Sequence, residues 1–137
     1  MTSALDLSAI RDSMTFAKLL GIELLEVTPE LVRGRLEWHP ERCTAGGIMH
    51  GGAMMGLADS CGGVCAFFNL PDGAQGTSTI DSNTHFLKGV REGAVTAVSK
   101  PLHRGRTIII VETNLNTDDG SPVAKVLQTQ TFHYPRS

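Results

Sequence analysis

A glycine-rich run, Gly46-Gly47-Ile48-Met49-His50-Gly51-Gly52, leads into a helical pattern from Ala53 to Phe68 that carries a single acid, Asp59. The first N–H groups of a helix have no acceptor within it, so a turn of small residues can present them to one point. A carboxylate two turns further on can serve as a base or nucleophile. Hydrogen-bond donors and an acid together suggest chemistry on a carbonyl, where charge develops on oxygen and must be stabilised.

The bulk properties remove several other classes. A chain of 137 residues is long enough for one core but short for an enclosed pocket of its own, so a site shared between subunits is expected. The formal net charge of -2 gives no basic field for nucleic acid or for an anionic membrane surface. Met1 to Ala9 lacks the cationic start and apolar run of a signal peptide, and Asp59 interrupts the most apolar helix short of membrane-spanning length. A soluble, cytoplasmic protein is the expectation. Cys43, Cys61 and Cys65 are an odd set. The last two fall on an apolar helical stripe, which argues for burial rather than a disulfide, and no second pair offers zinc-ligand spacing. No metal site is expected.

The elements that would position these residues follow from periodicity. A short N-terminal helix over residues 8–20 ends at Gly21. Ile22–Val27 and Leu31–Trp38 read as a hairpin about Thr28-Pro29-Glu30, the second strand alternating Val32, Gly34 and Leu36 with Arg33, Arg35 and Glu37. In the helix from Gly51 to Phe68, Ala53, Met54, Leu57, Ala58, Cys61, Val64, Cys65 and Phe68 fall within an arc of about 140°. Gly52, Met55, Asp59, Gly62, Gly63 and Ala66 occupy the other side. Each interior glycine costs about 1 kcal/mol against alanine, so a backbone or substrate is expected to pass close by that face. Strand character then dominates Gly76–Leu87, Ala94–Leu102, Arg106–Thr117 and Pro122–Tyr134, read as a four-strand antiparallel meander. The sum is one α+β domain over residues 1–137 in which a curved antiparallel sheet of about six strands must wrap one long helix.

Strand, strand, a helix opened by His50-Gly51-Gly52 and then the meander resemble the hotdog fold. Within it, His50-Gly51-Gly52 with Leu57-Ala58-Asp59-Ser60 resembles the phenylacetic-acid-degradation thioesterases, relatives of the 4-hydroxybenzoyl-CoA thioesterases. Thr79-Ile80-Asp81-Ser82-Asn83-Thr84-His85-Phe86 is similar to that family's third strand, and Arg104-Gly105-Arg106-Thr107 to its next hairpin turn. The resemblance implies hydrolysis of an acyl-CoA thioester at a homodimer interface, with dimers pairing into tetramers and no cofactor beyond the CoA of the substrate. It assigns Gly51 as the N–H that polarises the carbonyl, His50 as the residue that orients the loop, and Asp59 of the neighbouring subunit as nucleophile or general base. Thr79 falls near the water. Phe86 and the turn His103, Arg104, Gly105, Arg106, Thr107 and Ile108 correspond to the CoA surface, with Gly52 and Met55 placed along the substrate. Thr44 departs from the pattern, since the family commonly has Asn or Gln six residues before the histidine; its hydroxyl reaches less far than a carboxamide.

Plainer roles stand beside each assignment. Asp59 can pair with the helix dipole in solvent, His50 can cap the helix, His85 and His133 can be ordinary strand residues, and turn arginines are usually just solvated. Arg104 and Arg106 bracket Gly105, however, which suits two guanidinium groups to phosphate oxygens. Two other functions share the fold: an enoyl-CoA hydratase or dehydratase, and an acyl-CoA-binding sensor without turnover. Both aromatic and medium-chain acyl groups remain open.

Overall fold

The computed structural model describes residues 5–136. Two short helices, α1 (Leu7–Ser13) and α2 (Thr15–Leu20), precede strands β1 (Glu23–Val27) and β2 (Val32–Glu37). An irregular stretch with two 3₁₀ turns then delivers the long helix α3 (Gly51–Phe67), and β3 (Gly76–Phe86), β4 (Ala94–Arg104), β5 (Ile108–Thr117) and β6 (Pro122–His133) complete the chain. The α+β hotdog architecture read from the sequence is the one found: six antiparallel strands curve about one long helix, which packs across β2, β4, β5, β6 and β3.

The expected N-terminal helix is broken in two. Met14 adopts an extended backbone (φ -96°, ψ 91°) and serves as C-cap of α1 and N-cap of α2. Ser13 bonds back to the Ile10 carbonyl, the local competition by which serine weakens helix interiors. Arg11 reaches from α1 to the carbonyl of Ile22 and ties the first helix to the start of the sheet.

The four-strand meander needs a larger correction. Strand order is β1-β2-β4-β5-β6-β3, so of the last four strands only β4, β5 and β6 follow one another, while β3 lies at the far edge against β6. Chain reach permits this. Bringing β3 back to β4 crosses about three strand spacings, roughly 14 Å, and the connection between Phe86 and Ala94 can span more than 20 Å when extended. Val90 of that connection is buried, and its carbonyl accepts from the Met49 N–H just before α3. The crossing segment therefore closes the core beneath the helix entrance, where a simple turn would leave it open.

The core forms where the periodicities meet. Leu57, Ala58, Cys61 and Cys65 on α3 are fully buried against Val32, Leu36, Val95, Ala97, Ile109, Val111 and Leu115 of the sheet. The apolar arc of α3 is broader than expected: Gly62 and Ala66, assigned to the opposite side, are buried as well, because β6 curls up against that flank. Gly52, Met55 and Asp59 remain exposed. β3 is exposed along most of its length and has no strand on its outer side, with Ile80 58% exposed. An 11-residue unpaired edge of this kind is a template for pairing with another chain.

Candidate active site

The entrance to α3 is fixed by its own residues. His50 has extended backbone angles and its Nδ1 accepts the Gly52 N–H at 2.7 Å, which makes it the N-cap and places the ring proton on Nε2. Gly52 therefore has its amide already engaged and can offer a substrate only its lack of a side chain. The Gly51 N–H, by contrast, has no acceptor among the described residues. Phe86 packs directly on Gly51, where a Cβ would lie 3.0 Å from its Cζ. Gly51, Thr44, Met54, Phe86 and Lys88 line one open cleft of about 420 Å³. The structure thus brings together the oxyanion candidate, the departing Thr44 and one wall of the proposed substrate channel.

Asp59 lies two turns along the same helix and belongs to a second cluster. Its Oδ1 accepts from Thr79 Oγ1 at 3.1 Å and from Gln128 Nε2 at 2.8 Å. Thr79 is aimed by a β-bulge: the pairing of β3 with β6 shifts between Thr79 and Asp81, leaving Ile80 as the extra residue. The hydroxyl of Thr79 in turn accepts from Gln130 Nε2 at 2.8 Å, and Gln130 Oε1 accepts from Thr77 at 2.9 Å. Asp59 and Thr79 are brought together in one chain. Gly51 and Asp59 of one chain are not, since eight residues of helix separate them by roughly 12 Å along its axis.

The remaining candidates sit elsewhere. Register aligns Arg104 with Ile109, Ile109 with Gln130 and Gln130 with Thr79, so the turn from His103 to Ile108 begins three strands from Thr79, roughly 14 Å away. Arg104 donates one bond to the Pro29 carbonyl, and among the described residues neither it nor Arg106 forms an ion pair. Met55 is 43% exposed on the same side of α3 as Asp59. A mostly apolar groove of about 490 Å³ starts one turn past Asp59, lined by Gly63, Val64, Phe67, Phe68, Met14 and Thr77 among others. Cys61 and Cys65 are not nucleophiles: burial pushes their thiols up to about 12 and about 11, so neither ionises near neutral pH. Among the described residues no cluster of three or more His, Cys, Asp or Glu could hold a metal ion, and no helix is long and apolar enough to cross a membrane.

Residues 46–124 match the family model of the thioesterase superfamily. The chain belongs to that superfamily. Its chemistry is accordingly that of a thioester hydrolase. The Mycobacterium tuberculosis protein Rv1847, which carries an esterase name, is 30% identical over 96 residues, 69% of each chain. The crystal structure of a mutant of the thioesterase PA1618 from Pseudomonas aeruginosa superposes with a TM-score of 0.88 at 27% identity, covering 96% of both chains. A Streptococcus pneumoniae thioesterase-type protein solved with coenzyme A shares the fold, with a TM-score of 0.81 at 21% identity over 93% of this chain and 99% of that one.

Two further residues of the cluster, Gln128 and Gln130, do not stand out in the sequence. Both are buried, at 1% and 2% exposure, and both direct amide hydrogens toward the Asp59 cluster. A signal for them emerges once the inward face of β6 is assigned. On β6 the inward positions run Val126, Gln128, Gln130, Phe132, so two carboxamides interrupt a face that period-2 alternation reserves for apolar side chains. Gln128 also explains Gly62, where a Cβ would fall 1.5 Å from its Oε1.

Proposed function

We propose that this thioesterase-superfamily chain hydrolyses an aromatic or medium-chain acyl-CoA in a homodimer, with a site of the phenylacetic-acid-degradation type built from both subunits. The observation that carries this reading is the division of the catalytic parts along α3. The free Gly51 N–H and the hydrogen-bonded Asp59 each lie in an accessible place, yet roughly 12 Å apart on one helix. A single chain cannot bring both to one carbonyl. Two chains related by a two-fold axis can, and the open edge of β3, which carries Thr79 and Phe86, is the surface suited to join them.

In this arrangement the thioester carbonyl oxygen meets the Gly51 N–H of one subunit at the positive end of α3. His50 holds that end through its bond to Gly52. Asp59 of the other subunit presents Oδ2, to which nothing among the described residues donates, and either activates a water or attacks the carbonyl carbon. Collapse of the tetrahedral intermediate expels the CoA thiolate, a leaving group good enough to need little acid assistance; where Asp59 activates water it takes the water's proton and the free acid forms directly, and where it attacks, water then cleaves the aspartyl–acyl anhydride to free acid and carboxylate. The apolar groove beyond Gly63 accepts the acyl group, and its volume suits a phenyl ring or a medium-length chain. Arg104 and Arg106, both exposed and without carboxylate partners among the described residues, supply guanidinium donors for the CoA phosphates. Pairing of dimers into tetramers and a cytoplasmic setting belong to the same proposal.

Free-thiol release from benzoyl-, phenylacetyl- and octanoyl-CoA, measured alongside molar mass by light scattering, tests it. Hydrolysis that depends on Asp59 in a dimer or tetramer is the expected result. Enoyl-CoA hydration without thiol release, tight CoA-ester binding with turnover unchanged in Asp59→Ala, or full activity in a monomer would each overturn it.

A further inference from the structure

The polar cluster around Asp59 has one direction of donation throughout. Thr77 donates to Gln130 Oε1, Gln130 Nε2 donates to Thr79 Oγ1, and Thr79 gives its own proton to Asp59 Oδ1, since a carboxylate can only accept. Gln128 Nε2 delivers a second donor to the same oxygen. Rotating the Gln128 carboxamide would set Oε1 against Oδ1 at that distance, acceptor against acceptor, so the amide orientation is determined by Asp59. Both donors converge on Oδ1. Oδ2 is left without one.

Resting on the reading of Asp59 as the catalytic carboxylate, we propose that Gln128 is a positioning residue that selects Oδ2 as the reacting oxygen, with Gln130 as a second arm acting through Thr79. The fold gives up stability in two places to hold it there. Gln128 Oε1 is buried with no hydrogen-bond partner among the described residues, a destabilising arrangement that a methionine or leucine in the same space would avoid. Its head also requires glycine at position 62 inside a helix, where alanine would otherwise be preferred. A core-filling role explains neither feature. Pointing Nε2 at Asp59 explains both, because the other end of the carboxamide must then face the helix backbone at Gly62. Held by two donors on one oxygen, the carboxylate has a fixed orientation about its χ angles, and a reacting group misplaced by about 1 Å can lose on the order of a hundredfold in rate.

Gln128→Met and Gln128→Glu test the assignment with the full-length protein and phenylacetyl-CoA, octanoyl-CoA serving as a second substrate. Gln128→Met removes both the donor and the unpaired oxygen. Its expected signature is a Tm equal to or above wild type, KM within about twofold, and kcat lower by roughly ten- to a hundredfold. Gln128→Glu can donate to Asp59 only while its own carboxyl is protonated, so its kcat is expected to fall with rising pH across the carboxyl range relative to wild type. Wild-type kcat and pH profile in both variants, with Asp59→Asn still inactive, would overturn the positioning role alone. A loss of kcat matched by an equal loss of folded protein in both variants would overturn it too. Failure of wild type to cleave either ester, or full activity in Asp59→Asn, would remove the catalytic reading and this inference with it.

Discussion

Gly62 and Gly63 are neighbours in the same helix, yet replacing each with alanine should move stability in opposite directions. An alanine normally gains about 1 kcal/mol over glycine in a helix interior. At Gly63 nothing lies within 4 Å of the added Cβ, so that gain should appear. At Gly62 the Cβ would stand 1.5 Å from Gln128 Oε1 and 2.6 Å from its Cδ. Gln128 is 1% exposed, so its head is held inside the fold. Relief must break its 2.8 Å bond to Asp59, worth about 1.5–3 kcal/mol for a charged acceptor, and adds overpacking of about 1–3 kcal/mol. Set against the helix gain of about 1 kcal/mol, Gly62→Ala should lose roughly 1.5–5 kcal/mol, lowering Tm by roughly 5–20 °C for a chain of this size. Thermal and urea unfolding at fixed protein concentration read both variants. The double variant Gly62→Ala/Gln128→Ala isolates the cause, since truncating Gln128 removes the clash and should restore at least about 1 kcal/mol beyond additivity. Additive effects within about 0.5 kcal/mol, or Gly62→Ala as stable as Gly63→Ala, would refute the packing account of Gly62.

Asp59→Asn keeps shape and hydrogen-bonding capacity but removes the charge, so kcat for thiol release should fall by about 10²–10⁴ with little change in Tm. His50→Ala removes the N-cap of α3 and should cost about 1 kcal/mol by urea unfolding, while His50→Asn, which can still accept from an N–H, should recover most of it. In Gly51→Ala the new Cβ meets the Phe86 ring at 3.0 Å, so KM should rise as that wall shifts, with a smaller change in kcat because the N–H remains. Cys61, at about 12, has on the order of one thiolate in ten thousand at pH 8, and Cys65, at about 11, on the order of one in a thousand; native protein should therefore take up one equivalent of iodoacetamide at Cys43, and three after denaturation.

Much of this fold is legible from pattern because most of its elements bury one face. Val32, Gly34 and Leu36 alternate inward as their spacing requires, and the α3 stripe of Leu57, Ala58, Cys61 and Cys65 is fully buried. The position of β3 is not legible in the same way. Its residues are mostly exposed in the chain, so no hydrophobic pattern binds it to one neighbour, and the short turns that favour a meander compete with a return to β6 that only the whole sheet specifies. For the site, Gly51 and Asp59 are visible because glycines and a lone acid stand out against a helix. Gln128 and Gln130 are visible only once β6 is known to turn that face toward α3, since a glutamine in an exposed strand carries no information. Met14 breaks the N-terminal helix through backbone geometry that an apolar spacing of Ile10, Met14 and Ala17 conceals.

The Asp59 cluster also bears on why the long β3 edge stays open. A carboxylate exposed to water on a lone chain is solvated without help, and a buried carboxamide directed at it, with its own oxygen left unpaired among the described residues, returns that chain little beyond the one bond. Ordering the carboxylate has value only where water is scarce and its direction matters. In the proposed dimer, β3 edges meet beside Thr79, and the same association that covers Ile80 would enclose Asp59 and turn Oδ2 toward the partner's Gly51. The bulge at Ile80, the glycine at position 62 and the inward amides of β6 then answer one requirement: a carboxylate already oriented before the second subunit dries its surroundings. Electrostatic contacts strengthen as water leaves, so the orientation fixed in each chain is the one that association amplifies.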